Sequence, residues 1–108
     1  MQKSDRYCIV ITTSNSAELT EKISNALVAE KLGACVQSLA ISSVYKWQGS
    51  VAKDDETLLL IKTRTSLLDA VEQLINDLHT YETPEIICVP ISAASSKYGK
   101  WIDEETGA

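Results

Sequence analysis

An uncharged stretch at residues 32–45 constrains the fold more than any other part of this sequence. Its β-branched, aromatic and aliphatic residues favour an extended strand, and Gln48 and Gly49 form a turn signal before a second apolar run at residues 57–63. We therefore predict a long β-hairpin. A long uncharged strand at an open sheet edge invites association through its unpaired N–H and C=O groups. This strand must therefore be central or be covered by another chain.

The composition bounds the class of protein. A length of 108 residues, 44% of them hydrophobic, predicts one globular domain over residues 1–108. No apolar run approaches the ~20 residues of a membrane span, so we expect no membrane association. The net charge of −5 argues against nucleic acid, which selects basic surfaces. Without a signal-peptide pattern or CxxC spacing, Cys8, Cys35 and Cys88 are expected to be reduced in the cytoplasm.

Two amphipathic segments predict helices. The first begins after Asn15, which caps it with Glu18 nearby, and ends at Gly33 in a left-handed conformation. The second begins at residues 65–66. A short third helix follows Ser95 or Ser96 and leaves Asp103 in solvent. The apolar residues at helical spacing are Leu19, Ile23, Ala26, Leu27 and Leu32 on the first helix, and Leu67, Val71, Leu74, Ile75 and Leu78 on the second.

Strand-like segments at residues 7–13 and 85–91 complete the order β-α-β-β-α-β, followed by the short helix. This order predicts an α+β fold with a four-stranded antiparallel sheet. We expect strands one and three to be central and parallel to each other, with strands two and four at the edges. Pro90 agrees with an edge position, since it cannot donate a ladder hydrogen bond.

The central strands are apolar on both faces, but both helices are expected on one face. A second layer must cover the other face. We hypothesise an obligate oligomer whose subunits pair through strand two and stack their sheet faces. The alternative is that the last helix covers the face alone. Residues expected at the subunit contact are apolar or aromatic: Val36, Leu39, Ile41, Tyr45, Trp47 and Trp101.

The expected topology brings chemistry-bearing residues to one sheet edge, namely Thr12, Thr13, Cys35, Lys62 and Glu85, with His79 and Tyr81 arriving from the second helix. His79, Cys35 and Glu85 offer ligands for a divalent cation shared between subunits. Lys62 with Thr12, Thr13 and Tyr81 offers a small-anion site. Three structural readings stay open: His79 at a helix C-terminus, Lys62 paired with Glu85 or with its stem packed, and Cys35 and Cys88 as core residues.

The chain resembles the CutA divalent-cation tolerance proteins over nearly its whole length. Five segments carry the resemblance, in order and at matching spacing: AEKLGACV at 29–36, SVYKWQG at 43–49, LLIKT at 59–63, HTYETPEI at 79–86 and YGKW at 98–101. The resemblance implies a ferredoxin-like fold, a compact trimer similar to PII-type signalling proteins, and a link to copper and other divalent ions. It departs at Thr80, where the family usually has proline, and at Thr12, where some members have a metal-binding cysteine.

The sequence therefore predicts a cytoplasmic homotrimer for metal tolerance that binds copper or another divalent cation weakly, with no obligatory cofactor and no enzymatic activity. Two alternatives remain open at this point. One is a PII-like regulatory trimer that binds a small anion or nucleotide. The other is a structural trimer without a ligand.

Overall fold

The computed structural model describes residues 1–108, and it confirms the α+β class and the order of elements. A 3₁₀ turn at Thr65–Leu67 leads into the second helix. None of the helices is both long and apolar enough to span a membrane. The elements are β1 (Gln2–Ser14), α1 (Ala17–Ala29), β2 (Cys35–Trp47), β3 (Ser50–Arg64), α2 (Leu68–Leu78), β4 (Ile86–Ala94) and α3 (Ser96–Glu105).

The strands form one sheet in the order β2-β3-β1-β4, with β1 and β3 in the centre as expected. The expectation that β1 and β3 are parallel is wrong, because every strand pair in the sheet is antiparallel. Helix α1 connects β1 to β2, so β2 runs parallel to β1. The hairpin then reverses the chain direction, and β3 is therefore antiparallel to β1. Pro90 lies on the edge strand β4 opposite Cys8, which confirms its predicted position.

The hairpin of β2 and β3 is longer than the apolar pattern indicated. It is paired continuously from Cys35 opposite Lys62 to Trp47 opposite Ser50. Gln48 and Gly49 both have positive φ, +50° and +81°, as the tight turns that match strand twist require. The acidic residues at 54–56 therefore lie within β3 and do not break it. Residues 42–56, which we call the hairpin arm, are largely exposed, and an exposed strand tolerates charged residues.

The two long helices pack on one face of the sheet and form the core there. Its fully buried side chains include Ile23, Leu27, Leu59, Ile61, Val71 and Ile75, and Cys8 and Val10 of β1 are buried in the same cluster. Helical spacing predicted the helix members of this core correctly. Leu58 and Leu60, which alternate with Leu59 and Ile61 on β3, point to the opposite face of the sheet.

The ends of α1 differ from the prediction. Ser16, not Asn15, caps the helix by accepting a hydrogen bond from the Leu19 N–H at 3.0 Å. At the other end, Lys31 takes the left-handed conformation that was expected for Gly33. Gly33 is needed for space, because a Cβ there would lie 3.2 Å from the Ile61 Cγ2.

The short helix α3 covers one end of the other sheet face. Its Ile102 is fully buried, and Gly99 lies so close to the Tyr7 ring that a Cβ would be 3.0 Å from it. Asp103, expected in solvent, accepts hydrogen bonds from Arg6 Nε at 2.7 Å and from the Tyr7 hydroxyl at 2.9 Å. Arg6 lies in β1 just before residues 7–13, the segment that the sequence pattern predicts as the first strand, so β1 begins earlier than predicted.

The rest of that face is left uncovered by α3. We call it the open face: Ile9, Ile11, Leu58, Leu60, Ile87, Val89, Leu39 and Ile41, from all four strands. Ile87 is 50% exposed, Leu39 48% and Val89 41%. A contiguous apolar surface of this kind marks an interaction site in soluble proteins. The alternative that α3 covers the face alone is therefore wrong.

The Asp103 contacts predict an acid-sensitive docking of α3. Burial acts to raise the pKa of Asp103, but hydrogen bonds from Arg6 and Tyr7 outweigh it and lower this pKa. A carboxyl with a lowered folded-state pKa stabilises the fold above its unfolded pKa of about 4, and this stabilisation is lost as pH falls through the folded-state value. Asp103→Asn should lower Tm at pH 7, and the difference from wild type should close as pH falls below about 4.

Calorimetry across pH 3 to 7 measures this effect, with the exposed Glu105→Gln on the same helix as the control. A Tm difference for Asp103→Asn that is the same at pH 3 and pH 7 would show that the contacts do not depend on the charge of Asp103.

Candidate functional site

The end of β1, the loop after α2 and the start of β4 meet at one edge of the sheet. His79 follows α2 directly, and its Nε2 lies 2.6 Å from the Thr13 carbonyl oxygen. Its Nδ1 accepts a hydrogen bond from the Tyr81 N–H at 3.1 Å. Glu85 precedes Ile86, which pairs with Thr12, and its side chain is exposed at the same end of the sheet. The predicted grouping of Thr13, His79, Tyr81 and Glu85 is thus present.

The two contacts of His79 define its tautomer. Because Nδ1 accepts from a backbone N–H, the ring proton of neutral His79 lies on Nε2, where it is donated to the Thr13 carbonyl. A histidine ligates a metal through a free nitrogen lone pair. His79 can therefore become a ligand only by giving up a bond to the backbone of Tyr81 or Thr13.

Tyr81 connects His79 at this edge of the sheet with Glu56 on β3. Its hydroxyl donates to Glu56 Oε2 at 3.0 Å, and its ring centroid lies 4.5 Å from that of His79. Burial and the hydrogen bond to Glu56 raise the pKa of Tyr81, so the side chain remains a phenol at neutral pH. Glu56 was not among the predicted site residues. The sequence held one signal for it. Glu56 lies two residues before Leu58, and residues at this spacing on a strand share one face of the sheet.

A second tyrosine–carboxylate pair lies farther along the hairpin arm. Tyr45 hydrogen-bonds to Asp54, and this bond raises the pKa of the exposed Tyr45 hydroxyl. Asp54 and Glu56 are alternate residues of β3 and lie on the same face of the arm. The acidic residues of the hairpin thus anchor tyrosines.

Cys35 and Lys62 do not join this edge, contrary to expectation. They are paired with each other, and Lys62 is paired with Ile9, four residues before Thr13 on β1. This separation amounts to about 13 Å along the strands. The expectation failed because it treated β1 and β3 as parallel.

Lys62 also lacks the predicted partner Glu85. The half-buried Lys62 ammonium lies 5.4 Å from the centroid of the Tyr98 ring on α3, a cation–π arrangement. Thr12 points to the helix side of the sheet, where its Oγ1 is buried without a hydrogen-bond partner. Lys62 and Thr12 therefore point to opposite faces of the sheet, and the four residues predicted for a small-anion site are not brought together in one chain.

No group of three or more His, Cys, Asp or Glu side chains comes together to hold a metal ion. Cys35 is half-buried on β2 and Cys88 is exposed on β4, so the reading of Cys88 as a core residue is wrong. Cys8 alone belongs to the core. A site with several ligands would need side chains from more than one subunit.

The residues expected at a subunit contact fall into two groups. Leu39, Tyr45 and Trp47 lie on the open-face side of β2 and are exposed, with Ile41 half-buried among them. Val36 instead packs against the helix-side core beside Ile61. Trp101 lies on α3 with its ring centroid 5.5 Å from that of Tyr98, and both rings remain exposed.

The topology, the helices on one face and the open second face define a ferredoxin-like α+β sandwich. Residues 8–105 match the family model described as "CutA1 divalent ion tolerance protein". The chain belongs to the CutA1 divalent ion tolerance family.

The most similar relatives agree with this assignment. "Divalent-cation tolerance protein CutA" of Thermus thermophilus is 40% identical over 92% of this chain and 97% of its own length. "Protein CutA, chloroplastic" of Arabidopsis thaliana is 43% identical over 91% of this chain, which spans only 54% of that relative. Among solved structures, CutA from Synechococcus elongatus gives a TM-score of 0.95 at 28% identity over 98% of this chain and 95% of its own. CutA1 from Oryza sativa gives 0.91 at 38% identity over 97% of each chain.

Proposed function

We propose that this protein acts in divalent-cation tolerance as a homotrimer that binds copper or another divalent cation weakly where its subunits meet. The observation that carries the proposal is the open face, on which the apolar side chains of Leu39, Ile87 and Val89 remain exposed in a single chain. The outer edge of β2 is also unpaired in a single chain, from Cys35 to Trp47. Two further copies would cover both surfaces, which is the arrangement that the family resemblance implies.

The position of the cation follows from the available ligands. Since no chain gathers three ligands by itself, the proposed site lies at the boundary between subunits, with Glu85 and His79 contributed by one of them. His79 would first release a backbone hydrogen bond. This cost supports weak binding, because about 1 kcal/mol or more is spent before the ring nitrogen becomes a ligand. Cys35 lies away from this edge and would join only from another subunit.

Titration calorimetry with Cu²⁺ on the assembled protein tests the site. We expect His79→Ala and Glu85→Gln each to reduce the binding heat and to weaken binding at least about tenfold, since each removes a ligand. Glu21→Gln, an exposed carboxylate change on α1, is the matched control and should bind as wild type does. Equal heats for wild type and both site variants would exclude this location.

A further inference from the structure

Two cysteines that the site above does not use lie near each other on the helix side of the sheet. Cys8 is opposite Pro90 in the register of β1 with β4, and Cys88 is opposite Val10. Since Cys8 and Val10 both point to the helix side, so does Cys88, one diagonal step from Cys8. Diagonal neighbours of this kind are within reach of each other's side chains.

The two thiols have different surroundings. Cys8 is 1% exposed, whereas Cys88 is exposed on the edge strand. Burial, and then a hydrogen bond with the Cys88 thiol, raise the pKa of Cys8 to about 12. The two cysteines are therefore diagonal neighbours across β1 and β4, and Cys88 is open to solvent.

A groove of about 230 Å³ is lined by Cys88, the exposed member of this pair. It lies between β4 and α2, with Cys88 and Val10 on the strand side and Asp69 and Glu72 on the helix side. Both carboxylates are exposed and line the same groove as Cys88. Negative charge along a groove raises the local concentration of cations.

We propose that Cys8 and Cys88 together bind one thiophilic monovalent cation, of the class of Cu(I) or Ag(I), as a two-coordinate dithiolate. Each thiol loses its proton to solvent and each sulfur forms one bond to the cation, so two protons are released and no electron is transferred. Soft thiolates select soft cations over the hard and borderline divalent ions. A bound cation deprotonates a coordinating thiol outright, so the buried Cys8 is competent as a ligand.

This site is independent of the cation site at the subunit boundary. It lies on the helix side of the sheet, whereas the open face lies on the other side. It would therefore remain accessible when sister copies cover the open face. Cys35 plays no part in it, because it belongs to the far edge strand β2.

Titration of the reduced full-length protein with Ag(I) in chloride-free buffer, followed by alkylation and mass spectrometry, tests the pair. With one equivalent of Ag(I), we expect Cys88, which is alkylated in the silver-free protein, to be protected from iodoacetamide. In Cys8→Ala the protection of Cys88 should require about a hundredfold more free Ag(I), since the second thiolate binds as an intramolecular ligand. Cys35→Ser is the matched control and should leave protection of Cys88 unchanged.

Cys88→Ser keeps the test independent of folding, because this residue is exposed, and it should weaken Ag(I) binding to the same degree as Cys8→Ala. Circular dichroism checks that Cys8→Ala is folded. Equal protection of Cys88 in wild type and folded Cys8→Ala, or wild-type affinity in Cys88→Ser, overturns the proposal. Silver that joins two chains through their Cys88 residues, detected as an Ag(I)-dependent doubling of mass, overturns it as well.

Discussion

Leu60→Asp is expected to convert the assembled protein into single folded chains. Leu60 lies in the middle of the open face, between Ile11 on β1 and Gln37 on β2. In a single chain the new carboxylate would reach water, so the subunit fold is retained. In an assembly it would be buried without a partner at a cost of at least about 4 kcal/mol per subunit. This cost corresponds to a factor of about a thousand in the association constant for each subunit that carries the substitution.

Sedimentation velocity at micromolar concentration measures the loss of assembly, and circular dichroism reports the fold. Val28→Asp is the matched control, since Val28 is exposed on α1 on the other side of the sheet. Leu60→Asp that sediments as wild type does would show that the open face is not the contact surface.

Ile61→Ala should have the opposite pattern, although Ile61 is the next residue on β3. Its side chain is fully buried in the core between the sheet and the two long helices. Removing a buried isoleucine side chain to Cβ costs about 2–5 kcal/mol through lost transfer free energy and the cavity left behind. The variant should lose this stability in urea unfolding at fixed chain concentration and should retain its assembly when folded.

Val28→Ala on the outer surface of α1 serves as the control and should change stability by less than about 0.5 kcal/mol. A loss below about 1 kcal/mol for Ile61→Ala would contradict the position of the core. Together, Leu60→Asp and Ile61→Ala assign the two faces of one strand to two different roles.

The sequence predicts the core because apolar periodicity reports which side chains must leave water. The stripe of Val71, Leu74 and Ile75 on α2 is buried as its spacing indicates, and Leu59 and Ile61 alternate with Leu58 and Leu60 as a two-sided strand requires. The apolar second face follows from the same alternation, and α3 packs over only the Tyr7 end of it.

Strands β1 and β3 are longer than the sequence predicts, because charged residues lie within them. The apolar pattern begins the second strand of the hairpin at residue 57, but Asp54 and Asp55 also lie in this strand, in the solvent-exposed part of the hairpin, where pairing with β2 supports the strand. Likewise, Arg6 was read as outside β1, but Asp103 from α3 pairs with it. The local sequence pattern of a strand carries no information about partners that are distant in the chain.

The site was predicted only in part, for a geometric reason. His79, Tyr81, Thr13 and Glu85 come together because they follow or precede neighbouring elements at one sheet edge. Lys62 and Cys35 do not join this group. They pair with each other at the opposite end of the sheet, because β3 is antiparallel to β1 and not parallel as predicted. The hydrogen bonds that use both nitrogens of His79 depend on the exact path of the loop, which spacing does not encode.

Static light scattering of the wild-type protein at micromolar concentration tests most directly the claim that sister copies cover the open face. We expect a mass three times that of one chain, stable on dilution through the micromolar range. A mass of one chain, with Ile87, Val89 and Leu39 left in water, would contradict it.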